Sequence, residues 1–211
     1  MSAVPQSRYS PQEYLALERV ATHKSEYYRG EIFAMAGASI LHNLIVGNLI
    51  ACLHNALSGS GCRVYPRDLR VATPDGLYTY PDVTVMCGEH TFDDHGRDTL
   101  TNPQILIEVL SESTEAYDRG KKFELYRSLP SLRNYILVEQ TSALVYCYHR
   151  QNDPDHWSLT FSSGREAVVE LVDFSVSLPL SSIYQNVEFP EIGPVVDPAA
   201  AGESPPMTAL N

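Results

Sequence analysis

One strand-length run constrains this chain more than any other. Gln104-Ile-Leu-Ile-Glu-Val-Leu110 is apolar at both parities, so a strand formed there has carbon on both faces and belongs in the middle of a covered sheet. Glu108 interrupts that run near its C-terminal end. A glutamate is almost never fully buried without a partner, and an unpartnered buried charge costs several kcal/mol or shifts its pKa. The fold that buries this strand therefore has to bring a partner to Glu108.

The chain of 211 residues is long enough for one domain with a sizeable core and too short for two full ones. Helical and strand patterns alternate, which predicts a mixed α/β (α+β) class. No apolar run approaches the ~18 residues of a membrane span, so no membrane partner is expected. The first residues, Met1 to Arg8, carry no apolar signal segment. Cys52, Cys62, Cys87 and Cys147 are scattered, with no Cys-x-x-Cys pair, and Cys52, Cys87 and Cys147 fall in apolar periodic segments as small hydrophobes. A reducing, cytoplasmic location is the expectation. The net charge of −11 argues against broad coating of nucleic acid, which draws on counterion release by many Lys and Arg contacts. A local basic patch remains: Arg119, Lys121, Lys122, Arg127 and Arg133.

Along the chain, residues 1–9 read as an N-terminal arm, 10–189 as a single domain and 190–211 as a disordered tail rich in Pro, Ala, Glu and Ser. Ser10-Pro11-Gln12-Glu13 is a capping box with proline at the first helical position, opening a helix to about Val20. Residues 25–35 predict two short strands around an Arg29-Gly30 turn. Ser39 caps a long helix over 40–57, with His42, Val46, Leu49 and Leu53 on its apolar stripe. Strands follow at 62–65 with 69–72, at 82–87 and at 104–110, then a helix over 116–129 stopped by Pro130. The remaining strands, at 135–139, 143–149, 157–161, 168–172 and about 176–180, add C-terminal hairpins.

Within that frame a group of polar residues falls in apolar surroundings. Asp82 begins its strand, where a carboxylate at the end of a sheet can still meet an ion; a Pro-Asp turn is the plainer reading. On the helix over 116–129, at about 100° per residue, Lys122 lies about 40° from Asp118, inside the stripe made by Leu125 and Leu129. Lys121 lies on the flank. Asp118 and Lys122 are also an i, i+4 pair in the favourable order, which an ordinary helical salt bridge would equally explain. Tyr126 continues the same line. Glu31 shares a strand face with Phe33 and Met35 and reads as a third carboxylate or an edge charge. His42 reads as a core histidine or a supporting group.

Tyr80-Pro81-Asp82, Ile107-Glu108-Val109-Leu110-Ser111-Glu112-Ser113-Thr114 and Asp118-x-x-x-Lys122-x-x-x-Tyr126, in this order and spacing, resemble the Uma-two family of endonucleases in the PD-(D/E)XK superfamily. Gly30-Glu31, Met35-Ala36-Gly37-Ala38-Ser39 with His42-Asn43, and Leu129-Pro130-Ser131-Leu132-Arg133 extend the likeness to about 10–187. The resemblance implies a restriction-endonuclease-like αβββαβ core, a central mixed sheet flanked by helices, with Asp82 and Glu108 as ligands of Mg²⁺ or Mn²⁺. That superfamily usually carries its lysine two residues after the glutamate, where this chain has Leu110. Lys122 on the following helix is its replacement. The expected activity is metal-dependent hydrolysis of nucleic-acid phosphodiesters, DNA before RNA, with Asp82, Glu108 and Lys122 as catalytic residues and Glu31, His42, Asp118 and Tyr126 in support. A homodimer is expected by analogy with nucleases that cut two strands. The rival readings are a non-catalytic nucleic-acid-binding accessory protein of a mobile element and a hydrolase of small phosphate esters.

Overall fold

A computed structural model describes residues 8–35, 37–93 and 98–190. The expected tail, apart from Pro190, and most of the expected N-terminal arm lie outside the described residues, as does Ala36.

The chain opens with α1 (Pro11–Glu18), held by the anticipated capping box: the Glu13 amide donates to Ser10 Oγ at 3.2 Å and the Ser10 amide to Glu13 Oε2 at 2.7 Å. The hairpin β1 (Ser25–Tyr28) and β2 (Glu31–Ala34) turns through Arg29 at φ 47° and Gly30 at φ 99°. Two successive positive φ values match the right-handed strand twist, and an added Cβ on Gly30 would lie 2.7 Å from Arg8 Cβ. The long helix α2 (Ile40–Ala56) is capped by Ser39, whose Oγ accepts the His42 amide at 3.0 Å. Its buried stripe is His42, Ile45, Leu49 and Leu53, with Ile45 where the sequence reading had Val46.

Strands β3 (Cys62–Pro66), β4 (Arg70–Ala72), β5 (Leu77–Thr79), β6 (Val83–Cys87), β7 (Thr99–Leu100) and β8 (Ile105–Val109) follow. A continuous helical segment comes next, α3 (Glu115–Tyr117), a π-helical turn (Asp118–Lys122) and α4 (Phe123–Tyr126). The chain then runs through β9 (Asn134–Val138), β10 (Leu144–Arg150), β11 (Trp157–Ser163), β12 (Val168–Leu171), β13 (Val176–Pro179) and α5 (Leu180–Ile183).

The central sheet has six strands in the order β11-β10-β9-β8-β6-β3, antiparallel throughout except for the β8–β9 pair, which is parallel and joined by the α3–α4 crossover. Its core, α2-β3-β6-β8-helix-β9, is the αβββαβ order expected from the sequence. The insertions β4, β5 and β7 join the first hairpin in a second sheet, β2-β1-β5-β4-β7, and β12–β13 form a separate pair. The first two C-terminal strands thus extend the central sheet rather than decorating it.

As the run 104–110 demanded, β8 is buried on both faces. Ile105, Ile107 and Val109 pack under α2 with Ile45, Leu49, Leu53, Val83, Val85, Ile136 and Val138. Leu106 and Leu110 face the other way, onto Leu125, Tyr126, Leu129, Tyr135 and Leu137. Cys62 and Cys87, opposite each other in the β3–β6 register, are joined by a disulfide. The reading of Cys52 and Cys147 as free small hydrophobes holds, and that of Cys87 is corrected because it pairs with Cys62, so the cysteine argument for a reducing compartment loses half its residues. Antiparallel pairing brings together positions 25 apart in sequence, which spacing alone did not suggest. Among the described residues no helix is long and apolar enough to cross a membrane.

Candidate active site

The β6–β8 register pairs Val83 with Ile107, and one further step brings Asp82 opposite Glu108 at the sheet's end. The two are tied together directly. Asp82 Oδ2 accepts the Val109 amide at 2.8 Å, and the Asp82 amide approaches Glu108 Oε2 at 3.4 Å. From α2, His42 Nε2 reaches the same Asp82 Oδ2 at 2.9 Å. A carboxylate only accepts, so Nε2 donates, and the buried Nδ1 has no hydrogen-bond partner among the described residues. The hydroxyl cap on the His42 amide places this residue in the first turn of α2, level with the end of the sheet.

Glu108 Oε1 receives the Tyr126 hydroxyl at 2.8 Å and the Lys122 ammonium at 2.9 Å. Lys122 also meets Asp118 Oδ1 at 3.3 Å and Glu26 Oε1 at 3.3 Å. One lysine thus sits among three carboxylates, Glu26 half-buried and the others buried: Glu108 is 4% exposed, Asp118 3% and Lys122 5%, with Asp82 beside them at 4%. The π-helical turn contributes to this convergence. Its i→i+5 bonding winds more than four residues into a turn, so Asp118 and Lys122 stand closer to alignment than an α-helix would hold them.

Electrostatics follow from that shortage of positive charge. Burial, only partly offset by Lys122, pushes Glu108 up to about 8, with Asp118 and Asp82 adding repulsion. Asp118 is raised in the same sense, again chiefly by burial. Burial by itself would lower Lys122, but Glu108, Tyr126, Glu26 and Asp118 outweigh it and hold the ammonium well above the usual lysine range. Tyr117, half-buried beside the same acids, is pushed up to about 12, chiefly by burial.

The group forms the floor of an open cavity of about 1100 Å³, whose lining includes Glu26, Phe33, His42, Arg67, Tyr117 and Gln140. The sequence-predicted residues Asp82, Glu108, Lys122, Asp118, Tyr126 and His42 are therefore brought together. Glu31 is not: it is exposed on β2, across the ladder from Tyr28, and does not line the cavity. Glu26 on β1 stands where the sequence reading placed Glu31. Sequence reasoning also missed Arg67, from the turn after β3, whose Nε lies 3.6 Å from Asp82 Oδ1. The adjacency of Tyr65-Pro66-Arg67 to a strand paired with the Asp82 strand was the one signal available for it.

The donor set suits a hard cation. Among the described residues Asp82 Oδ1 has only the distant Arg67 contact, and Glu108 Oε2 only the long amide contact, so each carboxylate keeps one loosely engaged oxygen. Mg²⁺ is commonly bound by one or two carboxylates, with waters and substrate phosphate completing its shell. Among the described residues no group of three or more His, Cys, Asp or Glu is placed to hold a metal ion.

Residues 11–181 match the model of the Uma2 family, described as "putative restriction endonuclease". Two proteins of Synechocystis sp. (strain ATCC 27184 / PCC 6803 / Kazusa) are similar. The uncharacterized protein slr1290 is 37% identical over 188 residues, 89% of this chain and 97% of its own length. The uncharacterized protein sll1609 is 37% identical over 159 residues, 75% of this chain and 89% of its own. Among solved structures, a "putative nuclease belonging to DUF820" from Anabaena variabilis ATCC 29413 superposes with a TM-score of 0.67 at 18% identity, covering 82% of this chain and 96% of that one. At that identity the likeness establishes the fold.

Proposed function

This chain belongs to the Uma2 family, and on that premise we propose that it hydrolyses phosphodiester bonds of nucleic acid with the help of Mg²⁺ or Mn²⁺ bound by Asp82 and Glu108. The observation that carries the reading is the convergence of Asp82, Glu108 and Lys122 on the floor of an open cavity, in a core of the αβββαβ order. Asp82 and Glu108 would hold such an ion, whose chemistry would be to acidify a bound water and to offset charge on the phosphate. The protein's own groups do the rest. His42 holds Asp82 by one oxygen and leaves the other for the ion. Tyr126 does the same for Glu108. Lys122, fixed at Nζ by Glu108, Asp118 and Glu26, presents positive charge where negative charge grows on a phosphate, and its position on the π-helical turn replaces the lysine that Leu110 displaces. Arg67, half-exposed at the cavity wall, is placed to bind a non-bridging phosphate oxygen.

The test is cleavage of labelled polynucleotides by purified wild-type, Asp82→Asn and Glu108→Gln proteins, with Mg²⁺ or Mn²⁺ and with chelator. Divalent-dependent products from the wild type alone are expected, with each variant reduced by about 10²-fold or more, the size of effect of removing one preorganised charge-stabilising group. Equal cleavage by a folded variant would defeat the assignment.

A further inference from the structure

We infer that the substrate of this site is an unpaired strand, one of whose bases stacks on Phe33; the inference rests on the nuclease reading above and deepens it. Phe33 lies on β2 directly across the ladder from Glu26, so both side chains stand on one face of the hairpin, within about 5 Å at their Cβ atoms. Glu26 reaches Lys122 at 3.3 Å. The ring of Phe33 thus flanks the charged floor of the cavity, lines its wall and is 48% exposed. Its ring belongs to no core cluster. Tyr117, from the helical side, lines the same cavity with its ring centroid 5.8 Å from Lys122 Nζ. An aromatic ring left in water beside a phosphate-sized site is what a nucleobase stacks upon, and every base has a face to offer.

Two further observations favour an unpaired strand over a duplex. The reacting groups are nearly all buried, so the scissile phosphate has to turn inward off the surface. Duplex DNA keeps its bases stacked on each other and is bent or unstacked only at a cost of a few kcal/mol, whereas an unpaired strand turns its phosphate in and its base aside together. The lining also carries Glu112, Glu115 and Glu139, of which Arg119 pairs with the last two, and the whole chain carries −11. That surface repels the dense charge of a duplex more than that of one strand, and stacking on Phe33 adds to the phosphate contacts of Lys122 and Arg67.

The experiment compares a labelled oligonucleotide, as DNA and as RNA, single-stranded and annealed to its complement, with wild-type, Phe33→Ala and Phe33→Trp proteins. Cleavage should favour the single strand, and Phe33→Ala should raise its KM by about tenfold, the loss of one stacked base, with Phe33→Trp restoring it. The loss should fall on KM rather than kcat. Equal use of the duplex, or a KM unmoved by Phe33→Ala, overturns the inference while leaving the nuclease reading intact. If the wild type cleaves no polynucleotide, the nuclease reading fails, and fluorescence anisotropy of the single strand decides the stacking site: binding weakened by Phe33→Ala upholds it, and Phe33-independent binding or none overturns it. Of the DNA and RNA arms, the one showing the Phe33 dependence names the polymer.

Discussion

The two faces of β8 are built on opposite principles. Toward α2, Ile105, Ile107 and Val109 meet aliphatic side chains, and the free energy comes from apolar area removed from water. Toward α4, Leu106 and Leu110 bracket Glu108, and a ring of tyrosines and acids surrounds one lysine. One face is satisfied by shape. The other is satisfied only if its charges and hydrogen bonds are balanced, and in the metal-free protein they are short of positive charge. A strand two residues out of phase with its neighbour would cost the first face some packing; it would leave the second with a buried carboxylate and no partner.

The largest expected effect that tests this contrast is Lys122→Met. It leaves Glu26, Glu108 and Asp118 without their shared cation, and the loss at pH 8 should be about 3–5 kcal/mol in denaturant melts. At pH 5 the same substitution should cost less, because the raised acids take up protons instead. Ile107→Ala, on the aliphatic face, should cost about 2–5 kcal/mol, alike at both pH values, since it opens a cavity and disturbs no charge. A Lys122→Met penalty that ignores pH would erase the distinction between the faces.

A third prediction concerns pH in the unsubstituted protein. Glu108 stands at about 8 in the fold against an ordinary value of 4.5, so the folded state holds a proton that the unfolded state has released. Its contribution to stability is fully present below about pH 4.5 and is lost as pH rises through about 8. Asp118, also raised, adds in the same direction. Metal-free melting temperatures should therefore fall across this window for this part of the protein. Glu108→Gln should flatten that dependence, and millimolar Mg²⁺ or Mn²⁺ should reverse it in the wild type by binding the folded state. The smallest effect is Tyr126→Phe. Removing the hydroxyl that donates to Glu108 Oε1 should cost about 1–3 kcal/mol, and it should steepen the pH dependence by raising Glu108 further.

Much of this arrangement was legible in the chain. The two-faced run 104–110 identified a central strand and the acid within it. Helical phase separated Lys122 from Lys121, which is exposed and pairs with Glu124. Other parts were not legible, for definite reasons. Glu26 and Glu31 lie on four-residue strands of one hairpin, too short for alternation to reveal which carboxylate faces inward. Pairing of β1 with β5 sets that choice, and there Thr79 Oγ1 donates to Glu26 Oε1. Arg67 comes from a turn, where no periodicity operates. The π-helical turn has no signature in a hydrophobic pattern, because it changes winding by a single residue. The Cys62–Cys87 bond depends on an antiparallel register between strands separated by two others in sequence.

By itself the sequence determined the elements, their caps and the existence of an acid that needed company, because burial and periodicity are local properties of a chain. Which groups answered that need was decided by tertiary structure alone. Strand register carried Asp82 to Glu108, the first hairpin brought Glu26, and a widened helical turn lined up Asp118 with Lys122. Charges act across space over a few ångströms, and only the fold sets those distances.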